Sequence, residues 1–102
     1  VAAIIDYVAV PKLEQIDDYL DQGCSPGGAQ RNYDSYGHKI GELTERQRQL
    51  LCDPQTSGGL LVAVTPEAET EFLKIARSNG FELKVIGELT AHTIGEPLVE
   101  VR

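Results

Sequence analysis

The sequence contains no tryptophan and no methionine, and its only aromatic residues are four tyrosines and two phenylalanines. A core must therefore be built mainly from leucine, isoleucine, valine and alanine. The sequence also has no apolar run of about 18 residues, the length that a transmembrane helix needs, so we predict no membrane partner. Hydrophobic residues make up 41% and charged residues 25% of the chain, values typical of globular domains. At 102 residues, the chain is predicted to form a single domain over 1–102.

Cysteine is scarce as well, and Cys24 and Cys52 are the only two. They form no Cys-x-x-Cys motif, and neither His38 nor His92 stands at a zinc-ligand spacing from them. We therefore predict no metal site in this chain. A cysteine nucleophile needs an activating base nearby, and none is indicated, so no catalytic residue is assigned. Because disulfides are rare in the cytosol, two unpaired thiols fit a cytoplasmic protein.

Positive charge is under-represented, with nine basic against sixteen acidic residues and a net charge of −7. Nucleic acids and anionic membrane surfaces select basic patches, so both are excluded as general partners. The segment from Arg31 to Arg48 is an exception, because it carries four basic and three acidic residues. One part of an acidic chain is thus locally positive.

The apolar patterning predicts an α+β fold, an α/β sandwich in which two to three helices pack on a small mixed sheet of about four strands. A capping box of Thr44 and Gln47 marks one helix start, and the aperiodic, glycine-rich segment 24–43 is predicted to be a long functional loop. The predicted elements are strand 2–10, helix 12–22, helix 44–51, strand 60–64, a helix from Thr65 to about 79–80 with Ala68, Phe72, Ile75 and Ala76 inward, strand 82–90 and strand 98–102. The sequence starts inside a strand without methionine, so we expect a piece of a longer protein whose sheet is incomplete at its N-terminus.

The segment 53–59, "DPQTSGG", concentrates turn-forming residues directly before the apolar run 60–64. Asp53 is able to form an Asx turn, and Pro54 fixes its own φ. The pattern suits a structural turn. It equally suits a nest of backbone N–H groups around an anion, supplemented by side-chain hydroxyls. The candidate site residues here are Asp53, Gln55, Thr56, Ser57, Gly58 and Gly59.

A second glycine pair lies in "CSPGGAQRN", residues 24–32. Gly27 and Gly28 allow a tight backbone, and Arg31 is able to pair with phosphate or carboxylate through two parallel hydrogen bonds. Asn32 would bond either a ligand or its own loop. These four residues complete the candidate substrate-proximal or phosphate-proximal site.

Together, "GCSPGGAQRNYDSYG" and "LLCDPQTSGGLLVAV" resemble the C-terminal domain of the selenophosphate synthetase family, which belongs to the PurM-like ATP-dependent enzymes. The resemblance runs from about Leu13 to the C-terminus, and "DPQTSGGLL" is its most specific part. Ala29 departs from the family, which commonly has threonine at this position, so a contact from that hydroxyl is absent.

The resemblance implies that the complete enzyme makes selenophosphate from selenide and ATP with Mg²⁺, releasing AMP and phosphate. It also implies an N-terminal ATP-binding domain in the same enzyme, a homodimer, and a PurM-like fold for this piece. The chain would be the latter part of the C-terminal domain. It would supply loops near the active site and be inactive alone.

Two hypotheses of different classes follow for this chain. It is either part of an ATP-dependent phosphotransferase, or a structural or interaction domain with ordinary turns; the matching domain of another PurM-like enzyme is a narrower alternative. Convergence of the two glycine-rich segments, with Arg31, Asn32 and Thr56 around one pocket, would favour the first. Their placement at opposite ends of the sheet would favour the second.

Overall fold

The computed structural model describes residues 1–102 and contains a three-stranded mixed sheet. Strand β1 (Ala2–Ile5) lies in the middle, antiparallel to β2 (Gly87–Thr90) and parallel to β3 (Val99–Val101). In the order β2-β1-β3, the N-terminal strand pairs on both sides with strands from the C-terminal part of the chain. An α+β class with a small mixed sheet is therefore confirmed, with three strands where the sequence predicted four.

Four α-helices and one 3₁₀ helix occupy the middle of the chain. They are α1 (Ile16–Asp21), α2 (Gly27–Tyr36), the 3₁₀ helix (Gly37–Lys39), α3 (Glu45–Leu51) and α4 (Glu69–Ser78). Helix α2 packs on α3 and on the 3₁₀ helix. Within the sheet, β1 contacts both β2 and β3. The helices thus pack chiefly on one another, and less on the sheet than the predicted sandwich required.

The first strand is shorter than predicted because Asp6 ends it. The Asp6 carboxylate accepts hydrogen bonds from the backbone N–H groups of Val8 (3.0 Å) and Ala9 (3.4 Å), which closes a turn. The predicted strand 2–10 therefore stops at Ile5. The following helix is also shorter than predicted, and α1 has only six residues.

The predicted loop 24–43 is wrong over most of its length, because it contains α2 and the 3₁₀ helix. Pro26 occupies the N-cap of α2 with an extended backbone (φ −68°, ψ 137°), a position that tolerates proline's missing N–H. Ala29 is buried, and the packing of α2 on α3 outweighs the low helix propensity of two glycines. Intrahelical side-chain bonds add to this, such as Gln30 Nε2 to Asp34 Oδ1 at 2.6 Å.

Helix α3 begins and ends as predicted. Thr44 Oγ1 accepts the Gln47 N–H at 3.2 Å, and Gln47 Oε1 accepts the Thr44 N–H at 2.9 Å. This reciprocal pair is the capping box that the sequence indicated. The helix continues to Leu51.

The predicted strand 60–64 does not form. Leu60 is 93% exposed and Leu61 78% exposed, and no backbone hydrogen bond joins this segment to another strand. An isolated apolar segment is not a stable strand, because its backbone N–H and C=O groups need a neighbouring strand. The predicted strand 82–90 is likewise reduced to β2, whereas β3 lies within the predicted 98–102.

Helix α4 ends where the sequence predicted, but not all the residues predicted to point inward are buried. It stops at Ser78, and Gly80 follows with φ +84°, as in glycine-terminated helices. Its N-cap is Ala68, so Thr65 does not cap it. Ala76 is buried, but Ile75 is 55% exposed. No helix or strand packs extensively on α4, which explains the exposure.

Only Leu20, Ala29 and Ala76 are buried. The accessible surface of 8001 Å² exceeds the roughly 5,700 Å² expected for a folded monomer of this mass. Two backbone hydrogen bonds connect the helical part to the sheet, from the Leu98 N–H to the Lys39 carbonyl and from the Gly41 N–H to the Val99 carbonyl, both 2.8 Å. The structure is therefore open, with large unpartnered apolar surfaces.

Candidate functional site

The first glycine pair forms the start of helix α2 and not a loop turn. Gly27 and Gly28 are its first two residues, directly after Pro26. Neither has a positive φ, so the left-handed conformations open to glycine are not used here. What the pair provides is space along the first turn of the helix.

The second glycine-rich segment lies against that helix. A Cβ added to Gly28 would stand 2.5 Å from Pro54 Cγ, so the proline ring occupies the place of a side chain. One turn further along α2, the Asn32 side-chain amide donates to the Cys52 carbonyl at 2.9 Å. The two predicted segments are therefore brought together in space.

The remainder of the 53–59 loop is exposed. Residues 54–59 face solvent, and neither Thr56 nor Ser57 forms a side-chain hydrogen bond within the protein. Gly58 lies close to the Gln55 side chain, whereas open space surrounds Gly59. Neither glycine has a positive φ. The loop thus presents its hydroxyl groups outward.

Asp53 does not form the Asx turn that the sequence predicted. Its own N–H donates to the Leu50 carbonyl at 3.4 Å, while its half-buried carboxylate takes part in none of the side-chain hydrogen bonds. The Asx-type turn is formed instead by Asp6.

None of Arg31, Asn32 and Thr56 lines either of the two clefts described below. Arg31 is exposed and forms none of the ion pairs, although its carbonyl accepts the Ser35 hydroxyl at 2.8 Å. Asn32 is engaged with Cys52, and Thr56 points into solvent. The two segments lie together, but the side chains of Arg31, Asn32 and Thr56 share no hydrogen-bond partner.

Two of the four basic residues in the locally positive segment, Arg46 and Arg48, form ion pairs. Arg46 pairs with Asp21 and, at 3.7 Å, with Asp17, which links α3 to α1. The hydrogen bond to Asp21 raises the pKa of Arg46 above its usual value. Arg48 pairs with Glu45 within α3, and its guanidinium lies 5.2 Å from the centre of the Tyr33 ring on α2. This cation–π contact helps hold the two helices together.

A polar cleft of about 220 Å³ lies between the first turn of α2 and helix α3. Its lining includes Ser25, Gln30, Glu45, Arg48 and Gln49. Amide, hydroxyl and guanidinium donors of this kind suit a small anion, opposed here by the Glu45 carboxylate. A larger groove of about 610 Å³ lies on α4 and contains none of the predicted site residues.

Both cysteines are free: Cys24 is exposed and Cys52 is half-buried. Burial raises the pKa of the Cys52 thiol, and the nearby Arg48 opposes that shift. Cys52 is therefore a protonated thiol at neutral pH and a weak nucleophile. No group of three or more histidine, cysteine, aspartate or glutamate side chains is placed to hold a metal ion, and no helix has the length and apolarity needed to cross a membrane.

Sequence reasoning missed the role of Pro54, which was interpreted only as a turn residue, and the contribution of Arg48 and Gln30 to the cleft. A signal for α2 was present in the spacing of Ala29 and Tyr33, which places both on one helical face. Four-residue spacings of Gln30 with Asp34 indicated the same helix. The contact of Pro54 with α2 joins residues 26 positions apart and has no local signal.

Comparison with known proteins gives the family. Residues 1–100 match the family described as AIR synthase related protein, C-terminal domain. The chain is 57% identical over 101 residues to a "Selenide, water dikinase" of Photorhabdus laumondii. Similar relatives of the same name occur in Yersinia pseudotuberculosis (54% over 101 residues) and Pseudomonas putida (61% over 87 residues).

These matches cover 99% of the chain in the first two cases and 85% in the third. The chain spans 29%, 29% and 25% of the lengths of these relatives. Because the family match covers nearly every residue, the chain belongs to the AIR synthase related proteins and corresponds to their C-terminal domain.

Proposed function

We propose that this chain is part of a selenophosphate synthetase, in which it forms the latter part of the C-terminal domain. The complete enzyme would make selenophosphate from selenide and ATP, releasing AMP and phosphate. The observation that carries the proposal is the 57% identity over 99% of the chain to a protein named "Selenide, water dikinase". The "DPQTSGG" segment, with its outward hydroxyl groups, supports it.

Within that enzyme, the start of α2 and the 53–59 loop would lie near the phosphate groups or the reaction centre. Their convergence through Gly28 and Pro54 supports this. Thr56 and Ser57 are exposed donors without partners in the chain, and Arg31 is a cation without an ion pair. Groups of this kind are suited to a charged ligand.

The chain itself brings no set of metal-binding carboxylates together. Phosphoryl transfer depends on positioned metal ions and donors around the phosphates. We therefore assign ATP and Mg²⁺ to an N-terminal domain of the same cytoplasmic enzyme, which would act as a homodimer. The isolated chain would not turn over ATP.

The proposal includes a larger sheet in the complete domain, with 60–64 as a fourth strand. This segment is apolar and has no backbone hydrogen bonds, and it includes the exposed Leu60 and Leu61. The excess of accessible surface over the roughly 5,700 Å² expected for this mass points the same way, because 8001 Å² is exposed. A neighbouring strand would satisfy the free backbone groups and cover these side chains.

A chimaera tests the proposed activity. The chain replaces the corresponding 101 residues of the Photorhabdus laumondii relative, and AMP formation is measured with ATP, with and without selenide. We expect selenide-dependent AMP formation by the chimaera and none by the isolated chain. A folded chimaera without selenide-dependent turnover would contradict the proposal.

Thr56→Val in the same chimaera tests whether the loop contributes to the reaction. Thr56 has no hydrogen-bond partner and is exposed, so the melting temperature should stay within about 1 °C, while removal of one donor to a charged ligand should slow AMP formation about tenfold. Thr70→Val, on the remote and exposed part of α4, is the matched control. Lower stability with unchanged turnover would instead favour a structural role for the loop.

A further inference from the structure

We infer that Gly28 is a positioning residue: its missing side chain lets Pro54 seat on helix α2, and this contact fixes the 53–59 loop relative to the helix. Any effect on turnover rests on the proposed function above. Gly28 and Pro54 lie 26 positions apart in sequence and meet at this contact.

The contact leaves no room for a side chain on Gly28. A Cβ there would lie 2.5 Å from Pro54 Cγ, 3.2 Å from its Cβ and 3.4 Å from its Cδ. Carbon atoms at optimal separation stand about 3.5–4.0 Å apart. The proline ring is closed onto its own backbone nitrogen and cannot rotate away. An added methyl group must therefore displace the backbone of the loop or the helix.

A second contact on the same helical face fixes the start of the loop. Asn32 is four residues after Gly28, so the two positions lie above each other on α2. The Asn32 amide donates to the Cys52 carbonyl at 2.9 Å. Residues 52 and 54 are thus both held by α2, whereas the hydroxyl-bearing tip has no hydrogen bonds to the rest of the chain. These two contacts hold the start of the loop that carries Thr56 and Ser57.

Helix propensity alone does not account for glycine at position 28. Alanine is the better residue inside a helix, and Ala29 follows directly. Gly27 separates the two explanations, because a Cβ added there meets no atom within 4 Å. The two neighbouring glycines lie in the same helix, but only Gly28 lacks room for a Cβ atom. Gly27→Ala is therefore a matched structural control for Gly28→Ala.

The first experiment uses the isolated chain and needs no activity. Amide ¹H–¹⁵N spectra are recorded for the unsubstituted chain, Gly27→Ala, Gly28→Ala, Pro54→Ala and Gly28→Ala/Pro54→Ala. We expect resonances of 53–59 to shift in Gly28→Ala, to stay in place in Gly27→Ala, and to return toward the Pro54→Ala reference in the double variant. Equal spectra of the loop in both glycine variants would overturn the inference. If Gly28→Ala fails to fold and the double variant folds, the steric contact is established.

The second experiment measures AMP formation by the chimaera. We expect Gly28→Ala to lower kcat about tenfold or more with KM for ATP little changed, because small misplacements of positioned groups are costly. Gly41→Ala lies outside the candidate site, and its Cβ would have only ordinary contacts from 3.6 Å, so its turnover should stay within about twofold. Shifted loop resonances with unchanged kcat would overturn the positioning role. An inactive unsubstituted chimaera would overturn the proposed function, while the spectra still decide the Gly28–Pro54 contact.

Discussion

Cys52 illustrates at the residue scale how one position serves several contacts. Its N–H donates to the Arg48 carbonyl at 3.1 Å as α3 ends, and its carbonyl accepts from Asn32 on α2. Its thiol is half-buried, and burial raises the pKa of that thiol. The position therefore connects two helices to the loop through its backbone, while its side chain stays protonated.

A pH dependence of stability follows from the raised thiol pKa. The folded state holds the proton more tightly than the unfolded state, whose thiol has its ordinary pKa of about 8.5. The resulting stability is complete below that value and is lost as pH rises through the higher pKa of the folded state. We expect the difference in unfolding free energy between the chain and Cys52→Ala to shrink from pH 7 to pH 10.

Urea unfolding under reducing conditions measures this difference. Both proteins carry Cys24→Ala, so that Cys52 is the only thiol compared, and the titration of tyrosines and lysines cancels between them. A difference that stays constant across this pH range would contradict the prediction.

At the element scale, local signals succeeded where an element's ends are set by adjacent residues. The Thr44 and Gln47 capping box marked the start of α3, and Gly80 marked the end of α4. Long-range packing decided the others. Helix α2 forms despite Gly27 and Gly28, because it packs on α3.

The capping box should contribute measurably to stability. Thr44→Ala removes the acceptor for the Gln47 N–H and the reciprocal pair with it. We expect a loss of about 1 kcal/mol in the free energy of unfolding. Thr44→Ser keeps a hydroxyl and should lose only a few tenths of this. Equal loss in both variants, measured by urea unfolding, would show that the cap is not the cause.

Strands β1 and β2 approach each other closely at Gly87, so we expect that glycine to be required for stability. A Cβ on Gly87 would collide with the Ile4 carbonyl oxygen and lie 3.1 Å from Ile5 Cα. Gly87→Ala should therefore destabilise the chain by about 1–3 kcal/mol, as overpacking does. Gly41→Ala, whose Cβ would have only ordinary contacts from 3.6 Å, is the control. A smaller effect at Gly87 than at Gly41 would contradict the observed strand register.

At the scale of the whole molecule, exposed apolar surface is the dominant feature. Only three residues are buried, and the radius of gyration is 15.2 Å, against roughly 13 Å for a compact domain of this length. The largest exposures include Leu60 and Leu61, which lie side by side in the unpaired segment. Contiguous apolar surface of this kind binds other apolar groups.

We expect the chain to bind the fluorescent probe ANS, which reports exposed apolar surface. Leu60→Lys/Leu61→Lys should reduce the fluorescence at least twofold, because it replaces two highly exposed apolar side chains with charged ones. Leu13→Lys is the control, since Leu13 is comparably exposed at 79% but lies elsewhere. Fluorescence that falls equally in both variants, or in neither, would contradict this assignment of the surface.

The sequence by itself determined the composition of the core, the α+β class, the cap of α3 and the family, whose membership the match over 1–100 confirms. Each of these depends on residue types or on neighbours within one or two turns. The two glycine-rich segments were likewise apparent as candidate site residues, and their role in the reaction stays a prediction.

Only the tertiary structure decided which segments meet. It made α2 a helix and left 60–64 unpaired, and it placed Pro54 on Gly28. The free energy of a strand or a glycine-containing helix depends on its packing partner, and that partner is distant in sequence. Space and burial at such contacts arise only when the chain has folded, and no residue pattern along the chain encodes them locally.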